Sequence, residues 1–175
     1  MRFNLVMLQG KGFDFLHFLF PGTQLIAASL EELGHSCMIS RNGLVADRIN
    51  ILIGSHTLRD PAVVQQVVGS GARYVVFQTE VVLNRQVNLS GDLDHFNTCY
   101  LPLLRGAAAV WEGQPGQLEF LEGLGLPVDM FSGGWHSSME TAPPRASKDL
   151  DFLFFGCVSP HRRELLKALQ ARGHR

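Results

Sequence analysis

The stretch INILIGSHTLRDPAVVQQVVGSGARYVVFQTE, residues 49–80, carries the pattern from which the fold of this chain is predicted. Its first and last apolar runs, 49–54 and 73–78, are apolar on both faces, as in strands buried within a parallel sheet. Between them, 60–71 is compatible with a helix, with Asp60 as N-cap and Pro61 in the first turn. The stretch therefore predicts a strand, a helix and a second strand.

The same alternation runs through the whole chain and predicts an α/β fold. It indicates a doubly wound, mostly parallel sheet of Rossmann type, with helices on both faces. The predicted strands are 3–8, 36–40, 49–54, 73–78, 108–112, 127–131 and 151–156, and the predicted helices are 22–34, 60–71, 96–106, 114–125 and 159–173.

Two segments interrupt the alternation. Residues 79–96 are polar and predict a loop or a short irregular helix, and residues 136–149 are rich in Ser, Pro and charge, which is typical of a linker. We therefore predict a first domain over 1–135, a linker over 136–149, and one further strand-loop-helix unit over 150–175.

Composition narrows the class of protein. Of the 175 residues 46% are hydrophobic and 18% charged, and the formal net charge is −1, which argues against a nucleic-acid surface. Three cysteines far apart, without CxxC spacing, favour reduced thiols in a cytosolic protein. The sequence shows no signal peptide, no apolar run that predicts a membrane span and no zinc-ligand spacing. We expect a soluble, cytoplasmic protein.

Several segments, in order along the chain, resemble GT-B-type glycosyltransferases. LIAASLEELGHSCMIS (25–40) is similar to their first helix and second strand, and INILIGSH (49–56) and RYVVFQTE (73–80) to their next two strand ends. The segment 109–140 resembles the part that leads to an aromatic after glycine and to the inter-domain linker. The segment 149–174 is similar to the opening strand, loop and helix of the second domain.

The resemblance implies an acceptor-side domain followed by the start of a donor-side domain. A GT-B enzyme transfers a sugar from a nucleotide-sugar donor, a co-substrate rather than a bound cofactor, to an acceptor. The chain ends on LQARGHR (169–175), which repeats the pattern of LEELGHS (30–36) without the strand that follows there. We therefore expect a truncated piece of a longer transferase, inactive alone. The alternative is a natural one-domain derivative in which 151–156 pairs as an edge strand.

Candidate site residues follow the first strand. Gly10 and Gly12 in QGKGFD would let the backbone approach a ligand, although a dinucleotide motif would need a third glycine and an acidic residue further on. The alternative is a glycine turn that the fold itself requires. The resemblance implies that His17 could be a general base, because some inverting GT-B enzymes carry a histidine in this region; the alternative is a packed histidine.

His56 and Glu80 follow the third and fourth strands. In a parallel sheet both would face the same crevice, where they could form a base and its orienting acid; the alternative is that they cap the following helices. In the last unit, Gly156 ends the predicted strand, and Arg162 and Arg163 begin the next helix. Guanidinium groups there suit a diphosphate, while the alternative is that they are solvent-exposed helix arginines.

Two further functions stay open. The first is a non-catalytic Rossmann-like binding or partner module, for which we expect dimerisation to cover apolar surface. The second is a small nucleotide-binding or hydrolytic enzyme, which ranks last because the chain has no GxxxxGK[ST], GxSxG or HExxH motif.

Overall fold

The computed structural model describes residues 1–14, 16–88, 92–140, 147, 149–154 and 158–174. It divides into two compact units, Met1–Met139 and Glu140–Arg175, each of which is described by itself below. In the described part of the chain, no helix combines the length and the apolar character that crossing a membrane requires.

The first unit is built on a parallel sheet of six strands in the order β2-β1-β3-β4-β7-β8. This confirms the predicted α/β fold with a mostly parallel sheet. Each observed strand lies within two residues of its predicted bounds. The strands are β1 (Arg2–Met7), β2 (Ser36–Arg41), β3 (Ile49–Ile53), β4 (Tyr74–Phe77), β7 (Ala109–Glu112) and β8 (Val128–Met130).

Helices pack on both faces of this sheet, because successive strand residues point to opposite faces. Val6, Leu52 and Val76 belong to a core cluster that also takes in residues of α2, α4 and α5. Leu5, Ile51 and the other residues of the opposite face pack against α1. The helices of the first unit are α1 (Phe20–Glu32), α2 (Pro61–Gly69), α3 (Leu93–His95), α4 (Leu101–Arg105) and α5 (Pro115–Gly123).

An aromatic cluster lies on the face of the sheet that packs against α1, at β4, β7 and the end of β8. The Phe131 ring stacks on Trp111, with centroids 5.5 Å apart, and meets Phe77 edge-on at 5.0 Å. Trp135 lies 68% exposed. Trp111, Phe131 and Trp135 line a groove of about 290 Å³ together with Leu30 and other residues of α1. The face of the sheet that packs against α1 therefore carries partly exposed aromatic side chains.

The connection from β2 to β3 contains no helix. Residues 42–48 cross from one side of β1 to the other, and two buried asparagines hold this loop. Asn4 donates to the Gly43 carbonyl and to Asn50 Oδ1, each at 2.9 Å. Asn50 bonds the backbone of Val45 through both its Nδ2 and its Oδ1. Both side chains are fully buried, so these bonds replace those that water would make.

The sequence predicts a loop or a short irregular helix over 79–96, and the short helix α3 (Leu93–His95) lies at the end of this segment. The first part of the segment differs from the prediction. It contains an antiparallel hairpin of β5 (Val82–Leu83) and β6 (Gln86–Val87). The two turn residues, Asn84 and Arg85, both have positive φ, as a type I′ turn requires. The sequence lacks the Asn-Gly pair that normally marks this turn, which is why the hairpin was missed.

The predicted helix 96–106 is a helix with a widened turn. A π-helical segment, Phe96–Tyr100, joins α3 to α4, and the Leu101 N–H bonds to the Phe96 carbonyl five residues back. Pro102 has no N–H to donate, and its ring would collide with the carbonyl of Thr98 in a regular helix. The π register relieves this conflict at Tyr100.

The second unit contains α6 (Pro160–Ala171), capped by the Ser159 side chain. The prediction of a strand over 151–156 is wrong for 151–154, where the structure has none, and residues 155 and 156 lie outside the described residues. A strand needs a partner to pair with, and the described part of this unit contains no strand at all. Phe152 and Leu153 are instead 54% and 75% exposed.

Candidate active site

The carboxyl ends of β3 and β4 position a histidine and a carboxylate. After β3, Gly54 turns the chain with φ +84°, where an added Cβ would lie 2.6 Å from Leu19 Cδ1, and the 3₁₀ turn Ser55–Thr57 carries His56. After β4, Gln78 and Thr79 lead to Glu80. Because the strands are parallel neighbours, both turns open at the same edge of the sheet.

His56 Nδ1 lies 3.4 Å from Glu80 Oε1, with 14% and 24% of the two side chains exposed. This is within ion-pair distance but outside hydrogen-bond geometry. The Phe13 ring meets the imidazole edge-on at 5.8 Å. Burial lowers the pKa of His56, and the Glu80 carboxylate only partly opposes that effect. His56 is therefore neutral near pH 7, the form that can accept a proton.

Tyr100 lies in a buried polar group at this edge of the sheet. Its hydroxyl donates to Gln78 Oε1, and both side chains are buried. Burial raises the pKa of Tyr100, so its hydroxyl remains a donor, and Ser55, Glu80 and Glu112 are all close enough to influence it. Tyr100 comes from the π-helical turn, a frequent feature of functional sites.

Glu112, at the end of β7, is 1% exposed. Its Oε1 accepts from the Gln114 N–H at 2.7 Å, and burial raises the pKa of the carboxyl. Gln117 accepts from the Val82 N–H at 2.6 Å and so ties α5 to the hairpin. Within the described residues, four buried atoms in this region lack a hydrogen-bond partner: Ser55 Oγ, Gln78 Nε2, Glu112 Oε2 and Gln117 Nε2. Buried polar groups normally find a partner, and ordered water is the partner that such enclosed atoms usually have.

The other predicted site residues after β1 lie in its loop. His17 is exposed in the 3₁₀ turn Leu16–Phe18, with its ring 4.3 Å from that of Phe18. The Gly10 N–H bonds Thr57 Oγ1 at 3.0 Å, which joins the loops after β1 and β3. Gly12 is exposed, with φ +79°. An added Cβ at Gly10 would overlap the Thr57 carbonyl oxygen, so the close approach of these two loops leaves no room for a side chain there.

In the second unit, Arg162 and Arg163 lie exposed in the first turn of α6. The Arg162 guanidinium sits over the Phe154 ring, 5.6 Å from its centroid. Gly156 lies outside the described residues.

The sequence pattern predicts His56 and Glu80 at this edge but does not indicate Tyr100 or Gln117. Both lie on helices, where the direction of a side chain depends on packing that the local pattern does not encode.

Across the described residues, no group of three or more His, Cys, Asp or Glu side chains could hold a metal ion. No protein-family model, curated protein or solved structure matches this chain.

The buried histidines predict a pH dependence of stability. Burial lowers the pKa of both His56 and His95 below 6.5. The unfolded chain therefore binds more protons than the native chain just below pH 6.5. The free energy of unfolding is highest above that pH and falls as the pH drops through the two native pKa values. We expect the urea midpoint to be lower at pH 5.5 than at pH 7.5.

A double variant, His56→Gln with His95→Gln, should lose most of this difference. The raised pKa of Glu112 has the opposite effect, because it lowers the free energy of unfolding as the pH rises above 4.5. It therefore makes the loss of stability between pH 7.5 and pH 5.5 smaller. An unchanged midpoint in the wild type, together with NMR titration of both imidazoles at or above pH 6.5, would contradict the prediction.

Proposed function

We propose that this chain is the acceptor-side part of a GT-B-type glycosyltransferase, with His56 as general base and Glu80 as its orienting carboxylate. The observation that carries the proposal is the approach of His56 Nδ1 to Glu80 Oε1 at the carboxyl edge of the parallel sheet. The enzyme would transfer a sugar from a nucleotide-sugar donor to a hydroxyl of the acceptor.

The geometry suits proton abstraction. A carboxylate facing Nδ1 favours the tautomer with a proton on that atom, which leaves the Nε2 lone pair available for the acceptor hydroxyl. Catalytic hydrogen bonds are often long without substrate and tighten on binding, so a 3.4 Å separation is compatible with this role. His17, exposed in the loop after β1, is the competing candidate for the base.

The strand order supports a ligand site at this edge. The order β2-β1-β3-β4 differs from the 3-2-1-4-5-6 order of the Rossmann nucleotide-binding fold and matches the other common doubly wound order, 2-1-3-4-5. Proteins of both orders bind ligands beyond the carboxyl ends of the strands. The Rossmann-like, GT-B assignment itself rests on the ordered sequence segments. On that assignment Gly156, Arg162 and Arg163 would belong to the donor side, where the arginines would face a diphosphate.

NMR of the 175-residue chain tests the base assignment. Because the Glu80 charge raises the pKa of His56, Glu80→Gln should lower that pKa further, while Glu119→Gln, at an exposed carboxylate on α5, should leave it unchanged. In a library of mono- and disaccharides and other polyols, acceptors should shift the His56 imidazole signals in the wild type. A His56 pKa indifferent to Glu80→Gln, or acceptors that shift only His17, would contradict the assignment.

Turnover tests the mapping of the donor site. Incubated with nucleotide sugars and the same library, the chain alone should neither transfer nor hydrolyse the sugar, because on the GT-B assignment it carries only one strand-loop-helix unit of the donor side. Measurable turnover would contradict that mapping.

A non-catalytic partner module is the second candidate. It is favoured by the exposed apolar side chains of the second unit, among them Phe152, Leu153 and Leu165. Sedimentation separates the two: a stable dimer would favour the partner module, and a monomer would count against it.

A further inference from the structure

A cavity of about 490 Å³ lies beside the carboxyl ends of β1 and β3. This is the switch point of the sheet's topology. On one side of it β1 connects to β2, and on the other side β3 connects to β4. Doubly wound proteins bind their ligands at such points, and the volume lies within the range of small-molecule sites. Its lining includes the apolar Leu8, Leu58, Val63 and Val67 and the polar Gln9 and Lys11.

The walls of the cavity are apolar. Leu8 and Leu58 are buried at its base, and Val63 and Val67 of α2 form one side. Val63 is 37% exposed, so α2 presents apolar side-chain surface that the described part of the chain does not fully cover. A ligand with an apolar body would remove this surface from water, at about 25 cal/mol for each Å² buried.

The rim of the cavity carries Lys11 and Arg59, with the Asp60 carboxylate beside them. Lys11 is exposed, and no carboxylate in the described part of the chain pairs with it. Asp92 pairs with Arg59 at 3.0 Å. Asp60 keeps its negative charge, but it caps α2 by accepting from the Ala62 N–H, where the positive end of the helix offsets that charge. The Lys11 ammonium is thus available to an anion at the mouth of the cavity.

Most of the polar groups at the Gln9 end of the cavity already have hydrogen-bond partners. Gln9 and Asn42 bond each other twice, from the Gln9 N–H to Asn42 Oδ1 and from Asn42 Nδ2 to the Gln9 carbonyl. Gln9 Oε1 is buried and has no partner among the described residues. Gln9 Oε1 is an acceptor and cannot bond the oxygens of an anion, so Lys11 is the group that would hold the charged end of a ligand.

We infer that this cavity binds a small amphiphilic anion, a carboxylate or phosphate monoester with an apolar body, whose charged group faces Lys11. Neither His56 nor Glu80 lines the cavity, so the inference does not rest on the proposed function. The loop contact between Gly10 and Thr57 separates this space from the His56 imidazole, and Phe13 lies against that imidazole.

Isothermal titration calorimetry with decanoate, decyl phosphate and decyltrimethylammonium, all below their micellar concentrations, tests the inference. The two anions should bind and the cation should not, and the tighter anion identifies the head group. Lys11→Glu should weaken anion binding at least tenfold. Arg105→Glu, the same charge reversal at an exposed position on α4, should leave it within twofold.

Filling the cavity gives an independent readout. Val67→Trp, or Val63→Trp if the first does not fold, should abolish anion binding while circular dichroism confirms the native helix content. His56→Gln should leave binding unchanged. Equal binding of the cation, binding that survives both the Lys11 and the tryptophan variants, loss of binding in His56→Gln, or no binding at millimolar anion would each overturn the inference.

Discussion

Asn50→Ala is expected to lower the free energy of unfolding by about 3–5 kcal/mol. Asn50 is fully buried, and its Nδ2 lies within hydrogen-bond distance of the carbonyls of Val45, Arg48 and Arg73. Its Oδ1 accepts from Asn4 Nδ2 and from the Val45 N–H, each at 2.9 Å. Alanine would leave several buried groups unpaired, each at a cost of about 1–3 kcal/mol.

Urea denaturation followed by circular dichroism measures this effect. Asn97→Ala is the matched control, because Asn97 is exposed and bonds the carbonyl of Leu93, one turn back in the same helix, and the change should alter stability by less than about 0.5 kcal/mol. Asn50→Asp should be as damaging as alanine, since it keeps the acceptor and loses the donor. A loss below about 1 kcal/mol for Asn50→Ala would show that the crossover 42–48 does not depend on this side chain.

Gly10→Ala is the second variant with a large expected effect, a loss of about 3 kcal/mol or more. An added Cβ at Gly10 would overlap the backbone carbonyl oxygen of Thr57 and lie 2.6 Å from its carbonyl carbon. Backbone cannot rotate away as a side chain can, so the two loops would have to separate. That separation would break the bond from the Gly10 N–H to Thr57 Oγ1 and displace the turn that carries His56.

Gly22→Ala is the control for this variant. Gly22 lies in α1 with no atom within 4 Å of an added Cβ, and alanine favours helix by about 1 kcal/mol over glycine. We expect Gly22→Ala to be neutral or stabilising in the same urea assay. If Gly10→Ala unfolded at the wild-type midpoint with an unshifted His56 resonance, the loops after β1 and β3 could not be as close as described.

The strands of the sheet could be predicted because they are buried on both faces. Segments such as 49–54 and 73–78 carry a dense apolar signal, and Asp60 with Pro61 marks the start of α2 unambiguously. The segment 151–156 carries the same kind of signal, but a strand also needs a pairing partner, which composition does not reveal. The hairpin turn at Asn84 and Arg85 needs positive φ at both residues, and neither is the glycine that would have indicated such a turn in the sequence.

The candidate site was predictable only as far as it follows strand ends. His56 and Glu80 meet because β3 and β4 are neighbours in the sheet, a consequence of topology that the alternation of strands and helices already implies. Tyr100 reaches Gln78 from a helix whose register is altered by Pro102, and no period in the sequence encodes that direction. The unpaired buried atoms near Tyr100 are likewise a property of packing.

The aromatic group beside α1 makes this protein a natural optical reporter. The chain contains two tryptophans, Trp111 and Trp135, and both line the same groove. Its intrinsic emission therefore originates from a single patch of the first unit, with the more exposed Trp135 quenched first by iodide and the stacked Trp111 later. A spectral shift on adding another molecule would register contact with that patch.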